Sequence, residues 1–531
     1  MKASARWAWL ALPEAERHAF LAAVRAQVAA EHFERIQAMT EAFPELWALL
    51  EHSGMSLARL RRVAFGAPTE KTAAVCPPAN SAPPSQAQPQ RKRKGHGRQA
   101  ARSYTGARRV PVSHPSLQPG AACPACGQGK LRRQPQPAPA LRVEAQPPVT
   151  ATVFELEVLR CNLCGKTFTA PTPPEAGTQK YDPSVGVMLS LLRYGSGMPF
   201  YRLEQLQRSL GVPLAASTQW ELAEAVARVA QPAWDQLAWE AAQAPHVFND
   251  DTTMRVGALR RQIQAETQPA RTGIFTTGII ARAPDHPIAL FFTGRRHAGE
   301  NLDAVLRQRC ADLSAPLQMC DGLSRNEPQE CKTLLGCCLA HGRRPFVEVA
   351  PNFPEECRHV LESLRAVYRF DAQAQTERLN PEARLHFHQT HSQPVLDGLQ
   401  TWLHGQIEEK HVEPNSGLGQ AIGYLLGHWQ PLTLFLRQPG APLDNNVCER
   451  ALKMAILHRK NSLSYKTERG AQVGDLFMSL IHTCRLNRIN PFDYLLALVR
   501  HPNEVLAHPQ QWLPWNFRQA LATAAPVTDT G

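Results

Sequence analysis

The stretch "HVFNDDTTMRV", His246 to Val256, is where the chain turns from helical to strand patterning, and its reading decides the fold. Two further runs rich in β-branched and aromatic residues follow, "TGIFTTGIIARA" (272–283) and "PIALFFTG" (287–294), each bounded by turn residues. Such runs predict strands. "AGENLDAVLRQRC" (298–310) then predicts a helix, and "APLQMCDGL" (315–323) a short strand ending at Asp321.

Strand, strand, strand, helix, strand is the order of a ribonuclease H-like sheet. In that plan the first and fourth strands are neighbours, so Asp250 and Asp321 face one another. "LLGCCLAHGRRPFVEVA" (334–350) predicts a buried turn or strand. Residues 355–440 are mostly helical in pattern and predict an insertion of about 350–440 within a catalytic domain of 246–500.

After the insertion comes "PLDNNVCERALKMAILHRKNSL", Pro442 to Leu463. One acid, Glu449, sits among Arg450, Lys453, His458, Arg459 and Lys460. Asp444 is a candidate N-cap for this helix. At about 100° per residue, Glu449, Lys453 and Lys460 fall within about 40° on one face. The plain alternative is a Glu449–Lys453 i,i+4 pair worth ~0.2–0.5 kcal/mol. If the face meets Asp250 and Asp321, three carboxylates converge. Hard oxygen ligands of that kind suit Mg²⁺ or Mn²⁺, and two such ions about 3.5–4 Å apart can drive an in-line displacement at phosphorus.

The rest of the chain fits a polyanion partner. It has 531 residues, net charge +12, and is 43% hydrophobic and 20% charged. Its helical lead-in, 1–66, allows a dimerisation element. The linker and basic arm, 67–110, begins Pro-rich and ends "RKRKGHGRQAARSYTGARR" (91–109). Arg91, Lys92, Arg93 and Lys94 open that arm, which suits DNA phosphates; a solvated tether is the plain alternative. Residues 111–172 contain "CPACGQGKL" and "LRCNLCGKTF", placing Cys123, Cys126, Cys161 and Cys164 in two C-x2-C knuckles. With the alternating pattern before Cys161, these predict a zinc ribbon holding a structural Zn²⁺, over free core thiols or a redox pair. Residues 173–245 predict helices broken at Gly195–Gly197 and Gly211–Pro213, as a helix-turn-helix or a plain bundle, with Ser217 or Thr218 as cap. Residues 501–531 read as a tail. The 13 cysteines are not spaced as a secreted framework, the apolar N-terminal run stops at Pro13, and no run is long enough to span a membrane. The expected compartment is the cytoplasm. The fold class is therefore multidomain α+β.

The motifs also resemble the insertion-sequence-66 family of DDE transposases. "LDNNVCERALKMAILHRKNSLSYKTERGAQ" is similar to that family's third-acid motif through Asp444, Asn445, Asn446, Glu449, Arg450, Arg459, Lys460 and Asn461. "NDDTTMRV" resembles its first-acid motif, with Asp250 in the Asp place and Asp251 where Glu is usual; "CDGLSRN" resembles the second, placing Asp321. "CLAHGRRPF" resembles a Cys-x-Ala-His-x-Arg-Arg segment. Its Cys338 and His341 read better as a packed turn than as half a metal site, and Arg343 and Arg344 as phosphate contacts. The resemblance implies that Asp250, Asp321 and Glu449 bind two Mg²⁺ (or Mn²⁺) ions, and that Arg343, Arg344, Lys453, Arg459 and Lys460 meet DNA. It implies a bacterial enzyme at the nucleoid that cuts element terminal repeats and joins the 3′-hydroxyl to target DNA. Synapsis of two ends implies a homo-oligomer, and accessory proteins of the same element are implied partners. A related nuclease without strand transfer and a non-catalytic zinc-ribbon DNA-binding protein are the alternatives.

Overall fold

The computed structural model describes residues 109–136, 146–164, 166–283 and 285–523, with short pieces at 21–25, 28, 33, 72–75, 138 and 143. The arm residues Arg91, Lys92, Arg93 and Lys94 and nearly all of 1–66 lie outside the described residues. The chain divides into two units, one of Ala79–Ala176 with Glu204–Leu214, the other of the remainder.

In the smaller unit, β1 (Val158–Arg160) pairs antiparallel with β2 (Thr167–Thr169). The Cys161–Cys164 knuckle is the turn between them, closed by the Cys161 N–H donating to Lys166 O at 2.9 Å. The first knuckle closes likewise, with Cys123 N–H donating to Gly129 O at 2.7 Å. Gly127 there has φ +65°, a left-handed turn that glycine takes without strain. The alternating pattern ahead of Cys161 becomes strand only over Val158–Arg160 among the described residues.

In the larger unit, α1 (Pro183–Ser190) starts at Asp182, whose carboxylate accepts the Ser184 N–H at 2.8 Å. Helix α2 (Phe200–Ser209) crosses the boundary between units, and the turn after it leads to α3 (Ala216–Gln243). Neither Ser217 nor Thr218 caps α3: Ala215 is its N-cap and both lie inside the first turn. Its buried stripe includes Ala223, Ala227, Ala230 and Ala233, small side chains that allow close approach of neighbours.

A five-stranded sheet follows: β3 (His246–Thr253), β4 (Phe275–Arg282), β5 (Pro287–Gly294), β6 (Leu317–Cys320) and β7 (Leu334–Cys337), in the order β5-β4-β3-β6-β7. The first three are antiparallel; β6 joins β3 and β7 joins β6 in parallel. The first and fourth strands are neighbours, as the sequence predicts. Helix α4 (Gly257–Ala265) follows β3, and α5 (Ala298–Leu306) lies between β5 and β6. The stretch 334–350, expected to hold a buried turn or strand, supplies the strand β7 and then α6 (Leu339–Val349). Burial of Leu339, Phe346 and Val347 outweighs the interior Pro345. The insertion is helical as expected, with α7 (Pro354–Thr376), α8 (Pro381–His391), α9 (Gln393–Glu408) and α10 (Gly417–Gly427); α7, α9 and α10 share a core around Val360, Leu364, Leu399, Leu403 and Ile422.

Two helices return to the sheet, α11 (Asn446–Ser462) and α12 (Glu468–Leu486). Helix α12 covers the edge strand β5. Asp475, Ser479 and Thr483, four residues apart on one helix face, accept the N–H groups of Thr293 (2.6 Å), Phe291 (2.9 Å) and Ala289 (3.0 Å). Four residues of helix rise ~6 Å and two of strand ~6.7 Å, so the spacings match and the open edge is closed. Residues 502–523, read above as tail, bury Val505, Trp512, Leu513 and Phe517 in the core that holds the sheet. Among the described residues no helix is long and apolar enough to cross a membrane.

Candidate active site

The β3–β6 register pairs His246 with Leu317, Val247 with Gln318 and Phe248 with Met319. The same offset carried two residues further sets Asp250 opposite Asp321. Asp250 accepts the Asp251 N–H at 2.8 Å. Burial, then the Asp321 charge, with Asp251 and Glu449 adding to it, pushes the Asp250 carboxyl up to about 7. Glu449 therefore reaches Asp250 electrostatically. Asp251, the next residue on β3, has other partners: His297 Nδ1 lies 3.0 Å from its Oδ2 and Arg325 3.5 Å from its Oδ1.

Asp321 is held by a residue that the sequence did not single out. The Asn326 side-chain amide donates to Asp321 Oδ1, and the Leu323 N–H reaches the same oxygen at 3.3 Å. Asn326 is anchored through its carbonyl, which accepts from Asn249 Nδ2 (2.7 Å) and Gln318 Nε2 (2.8 Å). Gln318 also donates to Asn249 Oδ1 at 2.9 Å and accepts from the Thr333 hydroxyl at 2.8 Å. These amides link β3, β6 and the turn after Asp321, while Asn326 Oδ1 itself is buried without a hydrogen-bond partner.

Helix α11 is fixed along β3 at both ends. Asn445, not Asp444, is its N-cap. The side chain of Asn445 is drawn away from a capping bond to donate to Asn249 O at 3.0 Å, and its N–H donates to Cys338 Sγ at 3.3 Å. Asp444 instead accepts from Asn446, backbone N–H at 3.2 Å and side chain at 2.6 Å. At the far end Arg459 donates to Thr252 Oγ1 (3.3 Å), Thr253 Oγ1 (2.5 Å) and Thr253 O. Its guanidinium, expected on DNA, is occupied in holding the end of β3. Asn461 ties the helix to Gly197 O at 3.1 Å. Lys453 and Lys460 are exposed, Glu449 half-buried on the same helix, and Arg343 and Arg344 half-buried on α6.

Glu449 Oε1 is buried without a hydrogen-bond partner, 3.7 Å from His341 Nδ1, itself buried and unpartnered. Among the described residues, one set of three ligand atoms lies within 4.8 Å of one another: Cys338, His341 and Glu449. The carboxylates of Asp250, Asp321 and Glu449 do not close to that spacing, and neither do the thiols of Cys123, Cys126, Cys161 and Cys164 as a group. Within the knuckles, Cys126 and Cys161 are held below the ordinary thiol range, mainly by backbone N–H donors, with Cys123 and Cys164 contributing side-chain bonds. Asn326 lies in the "CDGLSRN" stretch, five residues past Asp321, but nothing in its spacing marked it out. His341 carried a signal, the C-x2-H spacing, whose third partner is far along the chain.

Among curated proteins, the chain is 25% identical over 430 residues to uncharacterized protein y4hP of Sinorhizobium fredii (strain NBRC 101917 / NGR234), covering 76% of this chain and 75% of that protein. It is 27% identical over 343 residues to uncharacterized protein y4jD of the same organism, covering 60% of this chain and 63% of the relative, less than two thirds of its length. No solved structure matches the chain. The family described as "Transposase IS66 family" matches residues 180–473, the span that contains the sheet, the helical insertion and α11. That match covers more than half of the sequence, and the chain belongs to the IS66 transposase family.

Proposed function

We propose that this chain is a metal-dependent DNA transposase with a ribonuclease H-like core, in which Asp250, Asp321 and Glu449 form the catalytic triad. The observation that carries the reading is the parallel pairing of β3 with β6, whose offset points Asp250 toward Asp321, together with the influence of Asp321 and Glu449 on Asp250. The donor set fits divalent cations. Burial, then the neighbouring acids led by Asp321, raises Asp250 to about 7, and Glu449 Oε1 is buried without a partner. Like charges gathered in this way call for a cation, and all-oxygen donors suit Mg²⁺ or Mn²⁺. Such ions, when bound, supply Lewis-acid stabilisation to the attacking and leaving oxygens of an in-line displacement.

The chain's own residues do the positioning. Asn326 orients Asp321, and the Asn249–Gln318 amide pair holds Asn326. Asn445 and Arg459 clamp α11 to β3 so that Glu449 faces the strand-borne acids. Lys453 and Lys460 offer ammonium groups to the DNA backbone from the same helix face, with Arg343 and Arg344 on α6 beside it in sequence. The two C-x2-C knuckles hold a structural Zn²⁺ in this reading, and the basic arm at 91–94 tracks DNA phosphates. The substrates are element ends and target DNA, the working form is a homo-oligomer spanning two ends, and the setting is the bacterial nucleoid.

The test is Mg²⁺-dependent nicking and joining of a labelled element-end DNA, wild type beside Glu449→Gln. Joined products from wild type and none from the variant are expected. Equal products from both would remove Glu449 from the site. Nicks without joined products would favour the nuclease alternative.

A further inference from the structure

We propose that Cys338, His341 and Glu449 form a second metal site, for a borderline transition ion of the Zn²⁺ class, and that its occupation withdraws Glu449 from Asp250 and Asp321. The three side chains come from two places. Cys338 is the N-cap residue of α6 and His341 lies in its first turn, so a C-x2-H spacing at a helix start brings thiol and imidazole together. Glu449, from the first turn of α11, completes the set. All three ligand atoms lie within 4.8 Å of one another.

The geometry is close to what such an ion needs. With bonds of ~2.3 Å to sulfur and ~2.0–2.2 Å to nitrogen and oxygen, tetrahedral ligand atoms stand roughly 3.3–3.6 Å apart. His341 Nδ1 and Glu449 Oε1 are at 3.7 Å, and both are buried with no hydrogen-bond partner. A buried acceptor and a buried imidazole nitrogen left unpaired are costly unless something bridges them. The Asn445 N–H that reaches Cys338 Sγ at 3.3 Å is a donor able to support a thiolate. One sulfur, one nitrogen and one oxygen select Zn²⁺ or Co²⁺ over Mg²⁺, and three protein ligands leave a fourth position for water.

Because Glu449 Oε1 is the shared ligand, the two sites exclude one another: thiophilic metal at Cys338–His341 is an inhibitor of the Mg²⁺-dependent reaction. That consequence rests on the triad reading above; the binding itself does not.

The probe is Co²⁺, added to the full chain without DNA. Bound metal is counted after desalting, and thiolate-to-cobalt absorption is recorded for wild type, Cys338→Ser and His341→Ala. The four knuckle cysteines are the same in all three. Wild type is expected to hold one equivalent more than each variant, with a thiolate band that shrinks in Cys338→Ser. Equal counts in wild type and folded His341→Ala would overturn the site; this variant decides if Cys338→Ser, at a buried position, fails to fold. In the Mg²⁺-driven joining reaction, His341→Ala is expected to need more Zn²⁺ for half-inhibition, by at least the roughly tenfold that loss of an outer-shell partner costs. Unchanged Zn²⁺ sensitivity would overturn the competition. Absence of joining by wild type would sink the triad reading, while the metal count still decides the site.

Discussion

Gly278 of β4, the cross-strand partner of Asp250, lies directly beneath Leu452 of α11. A Cβ at Gly278 would stand 3.1 Å from Leu452 Cδ2 and 3.4 Å from Cys448 Sγ, so the missing side chain is what lets α11 seat on the sheet. Cys448 uses that closeness to donate to Gly278 O at 3.3 Å. Gly278→Val is expected to lift the helix that carries Glu449. Overpacking of this kind costs about 1–3 kcal/mol. DNA cleavage should fall further than the loss of stability accounts for, since Glu449 moves with its helix. Thermal melting and cleavage rate, measured on one preparation, check both. A variant with wild-type cleavage would show that the seat of α11 is not critical.

Asn326→Ala removes the amide that orients Asp321 while leaving the Asn326 carbonyl to its two buried donors. The fold is therefore expected to survive. Misplacing a reacting group by ~1 Å can cost about a hundredfold in rate. A fall in kcat of about tenfold or more, with KM for DNA unchanged, is the expected split. A rise in KM alone would place Asn326 in DNA binding.

If Asp250 ligates the cation as proposed, the reaction has a pH dependence of known sign. Its carboxyl, raised to about 7 by burial and by Asp321, is protonated below that pH and must lose the proton to ligate a cation. Apparent Mg²⁺ affinity should weaken by about tenfold per pH unit below 7 and level off above it. Isothermal titration from pH 5.5 to 8.5 measures this. A flat profile in wild type would detach Asp250 from the metal.

Asp475 predicts a separate effect, on stability. It is buried, and burial pushes it up to about 7 although Thr293 N–H and Oγ1 both lie 2.6 Å from its oxygens. The unfolded chain ionises it near 4, so the folded state binds the extra proton. The stability it contributes is present below about 4 and is lost as pH rises through about 7. Asp475→Asn removes the titration and keeps a carbonyl to accept the Thr293 N–H. Its melting temperature should match wild type near pH 4 and exceed it at pH 8 by at least about 2 °C, the shift that ~1 kcal/mol makes in a domain of a few hundred residues. Equal melting at pH 8 would mean that the carboxyl titrates as it does in water.

The strands were legible because each is a run of β-branched and aromatic residues. "PIALFFTG" became β5 over its whole length, and the strand ending at "CDGL" became β6 with Asp321 just beyond it. The adjacency of β3 and β6 followed from strand order alone. What was not legible depended on partners distant in sequence. "GALRRQIQA" forms α4, yet its charged residues hid the buried Leu259 and Ile263. Asn445 holds the cap position in place of Asp444, and its side chain goes to Asn249 O instead of making a capping bond. Arg459 looked like a phosphate contact because the threonines it holds lie two hundred residues upstream. Helix α6 forms with Gly342 and Pro345 inside it, burying Leu339, Phe346 and Val347.

The helical insertion, whose core also takes in Leu317 of β6 and Cys337 of β7, stands in the chain between Asp321 and Glu449. During synthesis, β3 to β6 can leave the ribosome and pair while the last acid is still unmade. A nascent chain of this kind holds an incomplete site for as long as translation of the insertion takes, and a product stopped before Asn446 is expected to leave DNA intact. Ribosome-bound chains arrested on either side of α11 and assayed for nicking would show the activity arriving with that helix. In the triad reading, the order of the acids along the chain thus works as a timer that withholds cleavage until α11 has been made.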